Sequence, residues 1–154
     1  MRRYGSLIVF LGLVALAAAG GIWFRPDAWY AALAKPAWNP PSWLFSPVWT
    51  TLYVMIAIAG WRVWRAGGAG DARSVALALW FGQWIGNALW SWLFFGLHQP
   101  VWAMIDIAAM LVLVLAFIAV TWRFERVAAW LFVPYALWLA FAASLNGAIV
   151  MLNR

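Results

Sequence analysis

The stretch SVALALWFGQWIGNALWSWLFFGLHQPVWAMI, residues 74–105, contains no Asp, Glu, Lys or Arg. As a single helix it would run to about 48 Å at 1.5 Å per residue, against the roughly 30 Å hydrocarbon core of a bilayer. Inside it, GLHQP at 96–100 sets Gly and Pro close together, and these are the strongest local breakers of regular structure. The window therefore divides into two helices that turn back at GLHQP. How often the chain crosses a membrane depends on this division.

Elsewhere the sparse charges cut the chain into uncharged windows that each fit one crossing. The predicted spans are about 4–24, 44–64, 74–97, 101–122 and 127–150, with a loop at 25–43. The fold class is all-α, an integral membrane bundle of five transmembrane helices forming one domain over 1–154. The composition agrees, since 68% of the 154 residues are apolar and 9% are charged, where soluble domains carry about 25% charged residues. Continuous Leu-, Ala- and Trp-rich runs exclude the short alternating segments of a β-barrel. Without cysteine there is no disulfide framework or thiol nucleophile, and a single histidine excludes a histidine-based metal site.

Arg2, Arg3, Arg62, Arg65, Arg73, Arg123 and Arg126 flank one side of this arrangement, whereas Arg25, Lys35 and Arg154 flank the other. The positive-inside rule then predicts a cytoplasmic N-terminus and a C-terminus outside. The net charge of +6 is accounted for by anionic lipid headgroups, and no nucleic-acid partner is expected. MRRYGSLIVFLGLVALAAAGG at 1–21 also has the pattern of a cleavable signal peptide, although its apolar run continues through Ile22, Trp23 and Phe24.

With the spans alternating, the loop at 25–43, the HQP turn and the C-terminus fall on one side. Gln83, Asn87, Trp90 and Phe94 form one stripe at i, i+4, i+7 and i+11. Trp102, Asp106, Ala109 and Leu113 form a second, and Trp138, Ala142, Leu145 and Ile149 a third, with Asn146 beside it. These stripes are expected to converge on a cavity. A carboxylate at the depth of Asp106 costs roughly 2.5–3.5 kcal/mol unless it is partnered, which marks it as functional. Interhelical hydrogen bonding is the competing reading for Asp106, Gln83, Asn87 and Asn146.

Trp23, Trp29, Trp43, Trp61, Trp64, Trp122 and Trp130 sit at span ends, where indoles anchor at the headgroups. Trp49, Trp90, Trp102 and Trp138 sit on or beside the stripes, and flat aromatic walls suit a flat or fused-ring ligand. Gly82 and Gly86 make a GxxxG, predicted to pack against a second copy in a homodimer. In the loop, Pro36, Trp38, Pro40 and Pro41 stiffen WYAALAKPAWNPP at 29–41, predicted to be the lid of the cavity.

WYAALAKPAWNPP (29–41), PVWTTLY (47–53), GQWIGNALWSWLFFGLHQPVWAMIDI (82–107) and FVPYALWLAFAASLNGAIVMLN (132–153) occur in one register over nearly the whole chain. In this order they resemble the translocator protein family, TspO, also called the peripheral-type benzodiazepine receptor, and specifically a bacterial member. The resemblance implies a dimeric five-helix bundle that binds porphyrins such as protoporphyrin IX and benzodiazepine-site ligands, with no obligatory cofactor. Carried over by position, the ligand residues would be Tyr30 from the loop, Trp49 from the second span, and Asn87 and Trp90 from the third. Trp102 and Asp106 would come from the fourth, and Trp138, Ala142 and Leu145 from the fifth. An alternative activity is light-dependent porphyrin degradation, which would involve Trp49 and Trp138. No paired acid and base appears, so no conventional catalytic residue is expected. The cholesterol motif of animal members is broken, with Gly147 in the place of its aromatic residue.

Overall fold

The computed structural model describes residues 2–154, with side chains from Gly5 onward. The side chains of Arg2 and Arg3, which contribute to the charge asymmetry, and of Tyr4 lie outside the described residues. Among the described residues the secondary structure is all helical: α1 Arg2–Trp23, a short α2 Ala28–Ala32, α3 Phe45–Arg65, α4 Gly70–Ser91, α5 Pro100–Thr121 and α6 Arg126–Leu152. A 3-10 turn, Ser42–Leu44, leads into α3, and a π-helical turn, Trp92–Gly96, ends α4. Leu97–Gln99 then reverse the chain, with His98 in the left-handed region at φ 53°, and Pro100 opens α5 where its missing N–H costs nothing.

Among the described residues, four segments are long and apolar enough to cross a bilayer: Gly5–Trp23, Ser42–Arg65, Pro100–Thr121 and Arg126–Leu152. The sequence reading expected five. α4 is as long as α5, but Asp71, Arg73, Gln83 and Asn87 interrupt its apolar residues.

Polar ties group the helix ends into two sets. At one end Arg62 and Glu125 form a salt bridge at 2.9 Å, joining α3 to the start of α6, while Arg65 and Arg73 lie over the rings of Trp61 and Trp64. At the other end, the Asp27 carboxylate is 3.0 Å from His98, and the Asn153 side chain pairs with both backbone groups of Ala34 at 2.9 Å. The α1–α3 connector is thus held to the α4–α5 turn and to the end of α6.

The packed centre joins α1, α3 and α4 through indoles and one glycine. Trp80 is fully buried, meets Phe10 edge-on with centroids 4.9 Å apart and donates to the Ile56 carbonyl at 2.9 Å. A Cβ at Gly60 would stand 2.6 Å from the Trp80 indole nitrogen and 2.7 Å from the Phe10 ring, so only glycine leaves room for both. Between α5 and α6, Phe117 stacks on Phe132 at 4.0 Å.

Candidate functional site

Toward the connector end the helices diverge around a cavity of about 600 Å³, within the range of small-molecule sites. Its walls are aromatic. Trp49 and Trp138 meet edge-on with centroids 6.4 Å apart, and Phe45 packs on Trp138 at 5.8 Å. Elsewhere on the lining, Trp90 stacks on Phe94 at 5.0 Å, and Tyr30 packs against Phe95 at 5.4 Å. Phe94 and Phe95, both in the π-helical turn, line the cavity.

A hydrogen-bonded relay reaches this surface. Tyr53 Oη donates to Asn87 Oδ1 at 3.1 Å, Asn87 Nδ2 donates to Tyr135 Oη at 3.1 Å, and Tyr135 Oη donates to Gln83 Oε1 at 2.9 Å. Gln83 Nε2 ends the relay on the Trp80 carbonyl at 2.9 Å. Three helices are joined by it, and each buried group finds a partner. Of the relay, Tyr53 and Asn87 line the large cavity, and Asn39, Ser91 and Asn146 add further polar groups to its lining.

Seven of the nine predicted ligand residues line the cavity: Tyr30, Trp49, Asn87 and Trp90, together with Trp138, Ala142 and Leu145 on α6. Trp102 and Asp106 are not among the cavity residues. α5 instead presents Ile107 and Met110, so it is turned by about 100° from the predicted face. Trp102 is 59% exposed on the outside of the bundle. Asp106 points to α4, where Oδ1 stands 3.3 Å from the place of a Gly86 Cβ and Oδ2 is buried without a hydrogen-bond partner.

The glycine pair does not face outward either. A Cβ on Gly82 would meet Leu113 at 3.1 Å and one on Gly86 would meet Met110 at 2.5 Å, so both glycines serve the close approach of α4 and α5 within one chain. Of the four lid residues only Pro40 lines the cavity, with Asn39 and Ser42 beside it. Trp38 packs on the Phe141 ring at 5.8 Å, and Pro36 and Pro41 are absent from the lining. At the connector's base, the Tyr30 backbone N–H holds the Asp27 carboxyl below its ordinary value, and His98 adds to this. Partial burial raises the Tyr30 phenol.

Comparison with known sequences adds to this geometry. The profile of the TspO/MBR family matches residues 7–152. The chain belongs to this family. It is 36% identical over 145 residues to Protein CrtK of Rhodobacter capsulatus, covering 94% of this chain and 91% of that protein. With the Tryptophan-rich sensory protein of Cereibacter sphaeroides it shares 37% over 153 residues, covering 97% and 92%. With the Translocator protein of Sus scrofa it shares 44% over 123 residues, covering 77% and 70%. As a TspO/MBR member with several apolar helices, the chain is a multi-pass membrane protein.

Sequence reasoning missed several cavity residues of this TspO/MBR chain. Tyr53, one helical turn beyond Trp49 and at the depth of the predicted stripes, lines the cavity but was not among the predicted ligand residues. Phe95 was left out because only Phe94 falls on the predicted stripe; both lie in the π-helical turn and both line the cavity.

Proposed function

We propose that this protein is a membrane receptor, carrier or sensor that holds a flat hydrophobic ligand of the tetrapyrrole class, protoporphyrin IX foremost, in the aromatic cavity, and that benzodiazepine-site compounds compete there. The observation that carries this reading is the cavity itself, with indole walls from Trp49, Trp90 and Trp138 and the hydrogen-bonded pair Tyr53–Asn87 among its polar residues. Faces of this kind stack on extended π-systems, and a sensory or translocating role is consistent with the names of relatives. Protoporphyrin titration is expected to quench tryptophan fluorescence saturably. Ala142→Trp, which fills the space beside Trp138, weakens binding by about tenfold, or 1.4 kcal/mol; unchanged affinity would remove Ala142 from the site.

The path of the chain supports five spans. α3 ends at the Arg62–Glu125 end and α5 starts at the opposite end, where Asn146 Nδ2 donates to the Pro100 carbonyl at 2.8 Å. α4 and its π-helical turn are the only segment available to cover that distance, so α4 crosses too, with the polar face around Gln83 and Asn87 turned inward. The excess of arginine at the Arg62 end then sets the N-terminus in the cytoplasm and the C-terminus outside. Labelling of single cysteines introduced in place of Gly68 and of His98 in sealed vesicles tests this; modification of both from the same side would refute it. A homodimer, implied by the family resemblance, would have to form through a face other than Gly82 and Gly86.

A second reading is light-driven oxidation of the bound porphyrin by dioxygen. It is favoured by the contact between Trp49 and Trp138, two oxidisable indoles on one wall. Loss of the Soret band under illumination, compared with free tryptophan in the same detergent, decides it.

A further inference from the structure

The cavity residues differ sharply in exposure. Those contributed by α4, α5 and α6 are buried or half-buried, as are Tyr30, Asn39 and Pro40 of the connector. The exposed ones are Gly21, Ile22 and Pro26 at the end of α1, and Ser42, Ser46 and Thr50 at the start of α3. The last three are spaced by four residues and share one face. We infer that the cavity opens sideways, through a mouth between the C-terminal end of α1 and the first turns of α3, and that a flat apolar molecule with an acidic edge enters there from the lipid leaflet on the connector side. The occupant rests on the ligand reading above; the mouth does not.

Four observations carry the inference. Trp23 and Trp43 are 84% and 70% exposed and stand at the ends of the two helices that frame the mouth; indoles so placed mark the headgroup level. Thr50 is five residues beyond Phe45, so the mouth reaches about 7.5 Å further toward the acyl chains. The rim also suits lipid. Thr50 Oγ1 donates to the Ser46 carbonyl at 2.8 Å, which satisfies the hydroxyl within its own helix, and Gly21 adds no side chain. Finally, Arg25 Nε donates to the carbonyl of Ile22, a rim residue, at 2.8 Å, holding an exposed guanidinium next to it, and among the described residues no salt bridge engages it. A carboxylate-bearing edge matches that cation. The route over the top is closed by comparison, because the connector is tied by Asn153 to Ala34 and by Asp27 to His98.

The absence of cysteine makes the test direct. Thr50→Cys and Ala37→Cys, each in lipid nanodiscs, are compared before and after reaction with a bulky uncharged maleimide, following tryptophan quenching by protoporphyrin IX in stopped flow. Labelling of the Thr50→Cys protein is expected to slow both association and dissociation by at least about tenfold, and labelling of the Ala37→Cys protein, on the connector, by less than about twofold. Slowing in labelled Ala37→Cys alone overturns the inference. Arg25→Gln is expected to slow the free acid and to spare its dimethyl ester. Independently of any ligand, a nitroxide attached to the Thr50→Cys thiol is expected to collide with oxygen more than with a water-soluble nickel chelate. The reverse order overturns the mouth, whereas a lipid-like nitroxide in a chain that binds no protoporphyrin supports the mouth and removes the ligand reading.

Discussion

At the Arg62 end, Phe117 lies on Phe132 at 4.0 Å, and Val63, Ala128 and Ala129 have no exposed surface, whereas at the connector end the same α3 and α6 help to enclose about 600 Å³. The same helices are therefore solid at one end and hollow at the other. Side-chain shape accounts for the difference. Gly60 leaves room for the Trp80 and Phe10 rings, and Ala128 and Ala129 are fully buried, while Trp49, Trp90 and Trp138 line the cavity with large flat rings that leave it unfilled. Stability is thus concentrated where no ligand fits, and binding where packing is incomplete.

The strongest way to break this contrast is at Gly60. Gly60→Ala pushes a methyl against two rigid rings, with an expected cost of about 3 kcal/mol, read as a lowered unfolding midpoint in detergent. Tyr135→Phe comes next. It leaves Asn87 and Gln83 short of a partner at the boundary of the two halves, costing about 1–2 kcal/mol, and a wild-type midpoint would mean that the relay contributes little. Asn153→Ala is expected to leave the midpoint within about 1 kcal/mol of wild type and yet to speed proteolysis near Lys35, because only the connector loses its tie.

The smallest effect is one of pH. The Asp27 carboxyl is held below its ordinary 3.8, so its stabilising contribution is present above that value and is lost as pH falls through the lower folded-state value. Protection of the connector from an acid-active protease should therefore hold at about pH 5 and weaken in the region below 3.8; a loss already complete at the higher pH would point to another group.

Much of this could be read in one dimension. Trp138, Ala142 and Leu145 follow helical spacing, so their common face was visible without a structure. The same rule failed for Trp102 and Asp106. A stripe on α5 shows which residues share a face but not toward which neighbour the helix is turned, and the helix is apolar nearly all round. Likewise GxxxG at Gly82 announces close helix packing without saying whether the partner is α5 or another copy.

The amino-acid sequence by itself determined that the chain is a helical membrane protein of the TspO/MBR family, since sparse charge, window length and ordered motifs are properties of the chain alone. The rotation of α5 and the use of Gly82 and Gly86 within the bundle were decided by tertiary structure. Each depends on how far apart helices settle once particular side chains meet, and that distance is set by residues remote in sequence.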